Sequence, residues 1–219
     1  MNQTEQLTAG RQAPGSRYII GTDEVGYGAW AGPLVVTGAV FLEDWEGSGV
    51  MDSKTLTHQK RQVLARTVIG PALIRSLTVR AHSSSIDRDG VGPTLRRLHC
   101  AVIRVLLAVY PASQVIVDGD LHIEVAGAEP GQVVCVAGAD SRVPAVGAAS
   151  ILAKLDRDEK MVRADTDWPD YGFAAHKGYG TPQHQKALAL YGPCAIHRRS
   201  YRPVARAAAA FASREVQCH

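Results

Sequence analysis

Near the start of the chain, an apolar segment runs directly into two adjacent acids and then into glycines. This order restricts the folds that the chain can adopt more than any other feature of the sequence. Residues 18–22 predict a short buried strand, and Asp23 and Glu24 follow it at once. Gly26 and Gly28 then interrupt the pattern. Two carboxylates would therefore leave a sheet edge beside a loop with little side-chain bulk, which suits a hard cation and a phosphate near backbone amides. For this pair considered alone, an ordinary solvated turn is the alternative.

Two further acids stand at comparable places later in the chain. Asp118 ends a second apolar segment and is followed by Gly119, and Asp140 precedes a helix that Pro144 can begin. Taken singly, Asp118 is equally explained by an Asp-Gly turn and Asp140 by capping of the helix. Four acids at the ends of strands or helices can converge on one sheet edge, where two divalent cations would offset their mutual repulsion. The predicted site consists of Asp23, Glu24, Asp118 and Asp140.

The order of predicted elements indicates an α/β fold with a mixed sheet flanked by helices. Strands are predicted over residues 17–23, 33–41, 72–81, 114–118 and 132–136. Helices are predicted from Thr57 to Ile69 with Gly70 as the stop, over residues 91–109 and 144–164, and from Pro182 to Gly192. The C-terminal part of the chain is therefore expected to be helical.

The charges are distributed unevenly, although the net charge is only +3. Between Tyr171 and Arg214 every charged residue is basic, whereas the four candidate acids lie earlier in the chain. This separation indicates a metal site that faces a polyanion. A solvated basic helix face is the alternative.

Several classes of protein are disfavoured by composition. No apolar run approaches the length of a membrane span, and residues 1–16 lack the layout of a secretory signal and are expected to form a flexible tail. The four cysteines are far apart and form no CxxC pair, which indicates a reduced, cytoplasmic chain without a structural zinc site. One catalytic domain over residues 17–204, a C-terminal helix or tail over 205–219, and a monomeric state are expected.

Together these segments resemble one family, the prokaryotic type 2 ribonucleases H, and specifically ribonuclease HII. The likeness runs from about Arg17 to Val204 in the family's order. The matching strings are Gly21-Thr-Asp-Glu-Val-Gly-Tyr-Gly-Ala-Trp-Ala-Gly-Pro33, Asp52-Ser-Lys54, Val117-Asp-Gly119, Asp140-Ser-Arg-Val-Pro144 with the helix that follows, Arg157-Asp158, His176-Lys-Gly-Tyr-Gly-Thr181, His184 and His197-Arg-Arg-Ser200. The resemblance implies a ribonuclease H-like fold with a mixed five-stranded sheet, a helical C-terminal extension, and a two-metal endonuclease that acts on RNA paired or joined to DNA.

The resemblance also implies roles for individual residues. The four acids would hold two Mg²⁺ or Mn²⁺ ions, and hydrolysis by water rather than by the ribose 2′-hydroxyl would leave 5′-phosphate and 3′-hydroxyl ends. Tyr179 matches a tyrosine that stacks on the sugar at the RNA-to-DNA junction, with a buried core tyrosine as the alternative. His197 is better interpreted as a packing residue. The implied substrate contacts are Gly26, Tyr27, Gly28, Lys54, Ser150, Lys154, Tyr179, Arg198 and Arg199.

The sequence departs from the family pattern at two positions. The loop that grips the 2′-hydroxyl is usually Gly-Arg-Gly, and here it is Gly26-Tyr27-Gly28. Loss of the guanidinium removes a phosphate contact of roughly 1.5–3 kcal/mol. Asp156 stands where threonine is more common in the family.

Three alternatives follow from these observations. The first expectation, from the resemblance, is an endonuclease that cuts 5′ to ribonucleotides embedded in DNA and within RNA/DNA hybrids, and Tyr27 suggests as its rival a hybrid nuclease that needs several consecutive ribonucleotides. A non-catalytic hybrid-binding module is disfavoured, because a binder has no use for clustered negative charge facing phosphates. Another two-metal enzyme of the same fold, such as an integrase or resolvase, is disfavoured by the Lys-Gly-Tyr-Gly and Asp-Ser-Lys strings.

Overall fold

The computed structural model of the protein describes residues 17–50 and 56–217, and its centre is a five-stranded sheet. The strands are β1 (Tyr18–Val25), β2 (Leu34–Leu42), β3 (Arg75–Ala81), β4 (Ala112–Asp118) and β5 (Val133–Val136). They lie in the order β3-β2-β1-β4-β5, and β4 is parallel to both β1 and β5. The predicted mixed five-stranded sheet with flanking helices is confirmed.

The helices of the described residues include the four that the sequence predicts, together with further helices that it does not. They are α1 (His58–Leu64), α2 (Gly70–Ala72), α3 (Ser83–Asp89), α4 (Val91–Val109), α5 (Pro144–Asp167), α6 (Phe173–His176), α7 (Pro182–Tyr191) and α8 (Arg202–Gln217). Helix α7 begins after Thr181, whose hydroxyl accepts the His184 N–H, and it ends at Gly192 with a φ of 67°. None of the helices in the described part of the chain is both long enough and apolar enough to cross a bilayer.

The first predicted helix differs from the expectation at its end. Thr57 does form the N-cap, since its hydroxyl accepts the Lys60 N–H at 3.3 Å. The helix does not stop at Gly70, however, because a π-helical segment (Ala65–Ile69) leads directly into α2. Gly70 keeps a right-handed φ of −54°. A glycine ends a helix when it turns to positive φ, and this one does not, so the prediction that Gly70 ends the helix was wrong.

The chain divides into two compact units. The first consists of the described parts of Met1–Asp23, Gly38–Leu77 and Val102–Ile151. Its core contains Ile20, Val40, Val115, Val117 and Val146, all fully buried. A Cβ at Gly21 would lie 2.2 Å from the main-chain carbon of Ala145, so β1 and the first turn of α5 are in direct backbone contact.

The second unit consists of the described parts of Glu24–Thr37, Thr78–Ala101 and Leu152–His219. Met161, Tyr171 and Phe173 form its apolar centre, with the two aromatic rings stacked at 5.2 Å between centroids. Charged and polar side chains are buried here as well, and Arg157 and Arg198 are the largest side chains with almost no exposed surface. Because buried charges need hydrogen-bond partners, the contacts of these two arginines identify the segment of the chain that they stabilise.

Candidate functional site

Three of the four predicted acids converge in the first unit. Asp23 lies in β1, Asp118 is the last residue of β4, and Asp140 lies in a short 3₁₀ turn (Ala139–Ser141). One carboxylate oxygen from each lies within 4.8 Å of the other two. The register explains the first pairing, because Thr22 is the β-partner of Val117 and the next residue on each parallel strand is an acid.

The end of β4 and the turn that carries Asp140 are linked by hydrogen bonds. The Asp118 Oδ1 atom accepts the backbone N–H of Ala139 at 2.7 Å and that of Asp140 at 3.4 Å. Gly138 permits this turn, since its φ of 69° is in the left-handed region. Asp23 and Asp140 are buried. The Asp118 carboxylate is therefore held by backbone N–H groups of the turn that carries Asp140.

This group of carboxylates fits a hard divalent cation. Like charges at these separations repel one another, and a cation among them converts that repulsion into attraction. Within the described residues the group contains carboxylates alone, with no histidine or cysteine ligand. Oxygen-only ligands of this kind suit Mg²⁺ or Mn²⁺ rather than a thiophilic metal.

Glu24 is adjacent to Asp23 but is not part of the three-carboxylate group found among the described residues. Its Oε2 atom lies 3.6 Å from Nε2 of His99, a fully buried residue of α4. Sequence reasoning missed His99, and the signal that could have found it is a histidine on the apolar side of an otherwise amphipathic helix. An imidazole beside a candidate metal-ligating carboxylate is the kind of contact that orients such ligands.

In the second unit, two buried arginines hold the loop after β1 by its carbonyl groups. Arg157 donates from Nε to Pro33 O at 3.0 Å and from Nη2 to Ala31 O at 3.1 Å. Arg198 donates from Nε and Nη2 to Gly32 O, at 3.2 and 3.1 Å, and from Nη1 to Tyr27 O at 2.9 Å. Burial lowers the pKa of Arg157 to about 10 and also lowers the pKa of Arg198. With a pKa of about 10, Arg157 is still charged near neutral pH.

The loop glycines differ in what the fold requires of them. Gly26 has a φ of 90°, and a Cβ there would lie 2.3 Å from Arg157 Nε, so packing excludes a side chain. At Gly28 a Cβ would meet no atom within 4 Å. The intervening Tyr27 is exposed. The fold therefore explains Gly26, whereas the open space at Gly28 is available to a ligand.

Tyr179 is exposed, so the alternative of a buried core tyrosine is wrong. Its ring lies over the Arg157 guanidinium, with 5.2 Å between the guanidinium carbon and the ring centroid. Its main chain is held on both sides, because its N–H donates to His176 O and its carbonyl accepts from Nδ1 of His184, each at 3.0 Å. The exposed ring is thus carried by a rigid segment.

A pair of buried histidines supports the Tyr179 segment. Nε2 of His184 and Nε2 of His197 are 2.9 Å apart, and Nδ1 of His197 accepts the Cys194 N–H at 3.0 Å. These partners assign the bridging proton to His197, which donates to His184. Burial lowers the pKa of His184 to about 4 and that of His197 to about 3, so both rings are neutral near pH 7. The interpretation of His197 as a packing residue agrees with this geometry.

The remaining predicted substrate contacts have different environments. Lys154 is half-buried, and Arg199 is exposed with its main-chain N–H donating to Asp87 Oδ2 at 2.9 Å. Ser150 and Arg198 are fully buried. Direct contact with a substrate requires exposed surface that these two side chains lack, and Arg198 supports the loop instead. Lys54 lies outside the described residues.

The mixed sheet and the carboxylate group at its strand ends define a metal-dependent nuclease of the ribonuclease H-like class. The sequence pattern of the ribonuclease HII family matches residues 20–204. The chain belongs to the ribonuclease HII family, and with that family it is a metal-dependent endonuclease that hydrolyses RNA in RNA/DNA hybrids.

Individual relatives agree with this assignment. Ribonuclease HII of Thermus thermophilus is 43% identical over 189 residues, which cover 86% of this chain and 88% of the relative. The solved ribonuclease HII of Archaeoglobus fulgidus, in its complex with PCNA, is 27% identical with a TM-score of 0.69, covering 83% of this chain and 92% of that one. Bst-RNase HIII in complex with Mn²⁺ shares the fold at 21% identity and a TM-score of 0.72, covering 91% of this chain and 71% of that one.

Proposed function

We propose that this protein incises duplex DNA on the 5′ side of single embedded ribonucleotides and also cuts the RNA strand of RNA/DNA hybrids. The cut leaves 5′-phosphate and 3′-hydroxyl ends, and the active enzyme uses two Mg²⁺ or Mn²⁺ ions. The observation that carries the proposal is the group of three carboxylates whose oxygens lie within 4.8 Å of one another. Carboxylates this close together repel one another, and bound divalent cations offset that repulsion.

The task of the acids would be to hold the ions beside the scissile phosphate. Asp23, Asp118 and Asp140 would be the central ligands, and Glu24 is the fourth acid that the resemblance to the family implies. The Ala139 and Asp140 amides fix the orientation of the Asp118 carboxylate before a substrate arrives, so little reorganisation is needed on binding. Bound divalent ions supply activation of water and stabilisation of the charge on the phosphate and the departing oxygen.

The choice between Mg²⁺ and Mn²⁺ follows from ligand chemistry. Carboxylate oxygens accept both ions, and either one tolerates the near-octahedral surroundings of a phosphate site. Bst-RNase HIII, which shares this fold, is known in complex with Mn²⁺, so Mn²⁺ is tested beside Mg²⁺. Activity with both ions is therefore expected.

Ribonucleotide recognition belongs to the loop and to Tyr179. Backbone amides at Gly26 and Gly28 donate to the ribose 2′-hydroxyl and the adjacent phosphate, and the exposed Tyr179 ring stacks on the neighbouring sugar. The open space at Gly28 supports this role, because packing does not demand a glycine there. Lys154 and Arg199 contact phosphates further along the duplex.

A second candidate function is favoured by Tyr27. Its exposed ring stands where the family usually has a guanidinium, so one charge-assisted phosphate contact is absent. An enzyme without that contact would need several consecutive ribonucleotides to bind well. The two candidates differ in substrate and share the metal site.

The protein acts as a monomer on nucleic acid in the cytoplasm, through a catalytic domain over residues 17–204. The basic residues after Tyr171 favour a polyanionic partner. The described cysteines form no disulfide, which is consistent with a reducing compartment. The Archaeoglobus fulgidus relative forms a complex with PCNA, so a binding assay with PCNA would test whether this protein has such a partner.

An incision assay with two matched duplexes tests this proposal. One duplex carries a single central ribonucleotide and the other carries four, and each is incubated with Mg²⁺, with Mn²⁺ and with EDTA. We expect a cut immediately 5′ to the single ribonucleotide, with ligatable 3′-hydroxyl and 5′-phosphate ends, and no cut in EDTA. Cleavage of the four-ribonucleotide duplex alone would favour the second candidate, and cleavage of both in EDTA would reject the metal site.

A further inference from the structure

We propose that Arg157 is a positioning residue that sets the orientation of the Tyr179 ring against the recognition loop, residues 26–33, and thereby controls selectivity for single ribonucleotides. This inference rests on the proposed function, in which Tyr179 contacts the sugar. Arg157 itself does not touch the substrate, because its side chain is almost completely buried.

The Arg157 guanidinium contacts the recognition loop and the Tyr179 ring at the same time. The edge donates two hydrogen bonds to the loop, to Pro33 O at 3.0 Å and to Ala31 O at 3.1 Å. The guanidinium carbon also lies over the Tyr179 ring, 5.2 Å from the ring centroid. A planar cation held in this way fixes the plane that a neighbouring aromatic ring prefers.

The second support is that the loop is folded tightly onto this arginine. A Cβ at Gly26 would lie 2.3 Å from Arg157 Nε and 2.9 Å from its Cδ. The backbone at Gly26 also has a φ of 90°, which glycine adopts readily. The first glycine of the recognition loop is therefore required by Arg157, and the loop and the arginine form one structure.

The third support is that the main chain of Tyr179 is already fixed from another direction. Hydrogen bonds to His176 and His184 hold its N–H and its carbonyl. The remaining freedom lies in the side-chain torsions, and an exposed ring would sample several rotamers. Arg157 is positioned to select one of them, which lowers the entropy lost when the ring stacks on a sugar.

An apolar residue of similar volume would fill the space of Arg157 without the cost of burying a charge. Lysine would keep the charge but lacks the planar fork that reaches two carbonyls and presents a face to a ring at the same time. The variants Arg157→Lys and Arg157→Gln therefore remove the orientation while retaining, respectively, the charge or hydrogen-bonding capacity.

The test is a double-mutant cycle between Arg157→Lys and Tyr179→Ala, with kcat/KM measured on the one-ribonucleotide and four-ribonucleotide duplexes. We expect Arg157→Lys to lower kcat/KM on the first duplex about tenfold more than on the second. In the Tyr179→Ala background the same change should alter the ratio of the two values by less than about twofold. Equal effects of Arg157→Lys on both duplexes, or effects that add in the double mutant, would overturn the proposal.

Two further measurements separate positioning from folding. Arg80→Lys is the matched control, since Arg80 also makes a two-nitrogen contact with a residue of α5, Asp156, but none with the loop or Tyr179. It should leave the ratio unchanged. If the Arg157 variants do not fold, Tyr179→Phe and Tyr179→Leu decide the question: the ring variant should keep selectivity and the leucine variant should lose it. Selectivity retained by leucine would contradict the proposal.

The two assays separate the role of Arg157 from the function of the enzyme. Wild-type protein that prefers neither duplex, or that does not incise at a single ribonucleotide, rejects the function on which the inference rests. Wild-type protein that incises at the single ribonucleotide while the cycle is additive rejects only the role of Arg157.

Discussion

The carboxylate group of the first unit and the arginine-supported loop of the second use buried charge in opposite ways. Asp23, Asp118 and Asp140 bring like charges together, so the repulsion among them is relieved by something that the chain does not supply. Arg157 and Arg198 donate hydrogen bonds to carbonyl oxygens of the loop after β1. These main-chain oxygens satisfy the buried cations, and the same bonds hold the loop in place. The first arrangement is built for a ligand, and the second is built to hold the residues around it.

Burial alone therefore does not identify a functional residue. Arg198 and Asp140 are both almost fully buried, yet Arg198 donates to carbonyl groups of its own chain, whereas Asp140 lies with two other carboxylates. The partners of the buried charge decide the interpretation. Main-chain carbonyl groups around a buried cation indicate structural support, whereas carboxylates clustered together indicate a binding site for a cation.

The comparison predicts its largest effect at the acids. Asp118→Asn should lower single-turnover cleavage by at least ~10³-fold, or roughly 4 kcal/mol, because a neutral amide is a poor ligand for a divalent ion. Binding of the uncut duplex should stay within about threefold, since Asn retains an oxygen for the Ala139 N–H. Asp120→Asn is the control, an exposed acid two residues away, and it should cleave normally. Turnover by Asp118→Asn within tenfold of wild type would show that the group is not the reaction centre.

The next largest effect concerns the free energy of unfolding. It compares Gly21, where close packing leaves no room for a side chain, with Gly28, where there is room for one. Gly21→Ala places a Cβ against the backbone of Ala145 and should lower the free energy of unfolding by about 3 kcal/mol. Gly28→Ala meets no atom and should change it by less than ~0.5 kcal/mol, while reducing incision at a single ribonucleotide. Urea unfolding followed by circular dichroism measures both. Equal destabilisation by the two variants would contradict the assignment of free space at Gly28.

A smaller effect is expected from restoring the arginine that the family usually has in the loop. Tyr27→Arg should raise kcat/KM on the one-ribonucleotide duplex about tenfold, as one charge-assisted hydrogen bond contributes roughly 1.5–3 kcal/mol and part is lost in ordering the side chain. The exposure of Tyr27 makes the substitution compatible with the fold. Tyr27→Gln, which adds a donor without charge, is the control. No gain from arginine would mean that another group already binds this phosphate.

The remaining effect is the pH dependence of stability in the second unit, which builds up gradually over several pH units. The folded pKa values of His184 and His197, about 4 and about 3, lie below the unfolded value of about 6.5. Between pH 6.5 and 4 the unfolded chain therefore binds protons that the folded chain does not, and stability falls as the pH is lowered. Each histidine contributes at most about 1.4 kcal/mol per pH unit. His197→Asn should reduce the slope in urea unfolding between pH 7 and 4.5, and an unchanged slope would contradict the buried neutral pair.

The sequence predicted the sheet and the meeting of Asp23, Asp118 and Asp140 because both depend on local patterns, whereas Glu24 is not part of the three-carboxylate group. Apolar runs ending in Asp23 and Asp118 define parallel strand ends, and adjacent ends must meet at one edge. The course of the first helix past Gly70 was not predictable, since a glycine in a helix and a glycine after one look alike in sequence. Arg157 was recognised as part of the Arg157-Asp158 string but not as a partner of Tyr179, because contacts between residues 22 positions apart depend on tertiary packing that no local pattern records.

The most direct test of the account is to measure cleavage rates on the one- and four-ribonucleotide duplexes for wild type, Asp118→Asn and Tyr179→Ala under identical Mg²⁺ concentrations. If the carboxylates perform the cut and the second unit selects the ribonucleotide, Asp118→Asn lowers both rates by the same large factor and leaves their ratio unchanged. Tyr179→Ala then lowers chiefly the rate on the one-ribonucleotide duplex. A Tyr179→Ala variant with an unaltered ratio, or an Asp118→Asn variant that changes only the ratio, would contradict this division of tasks.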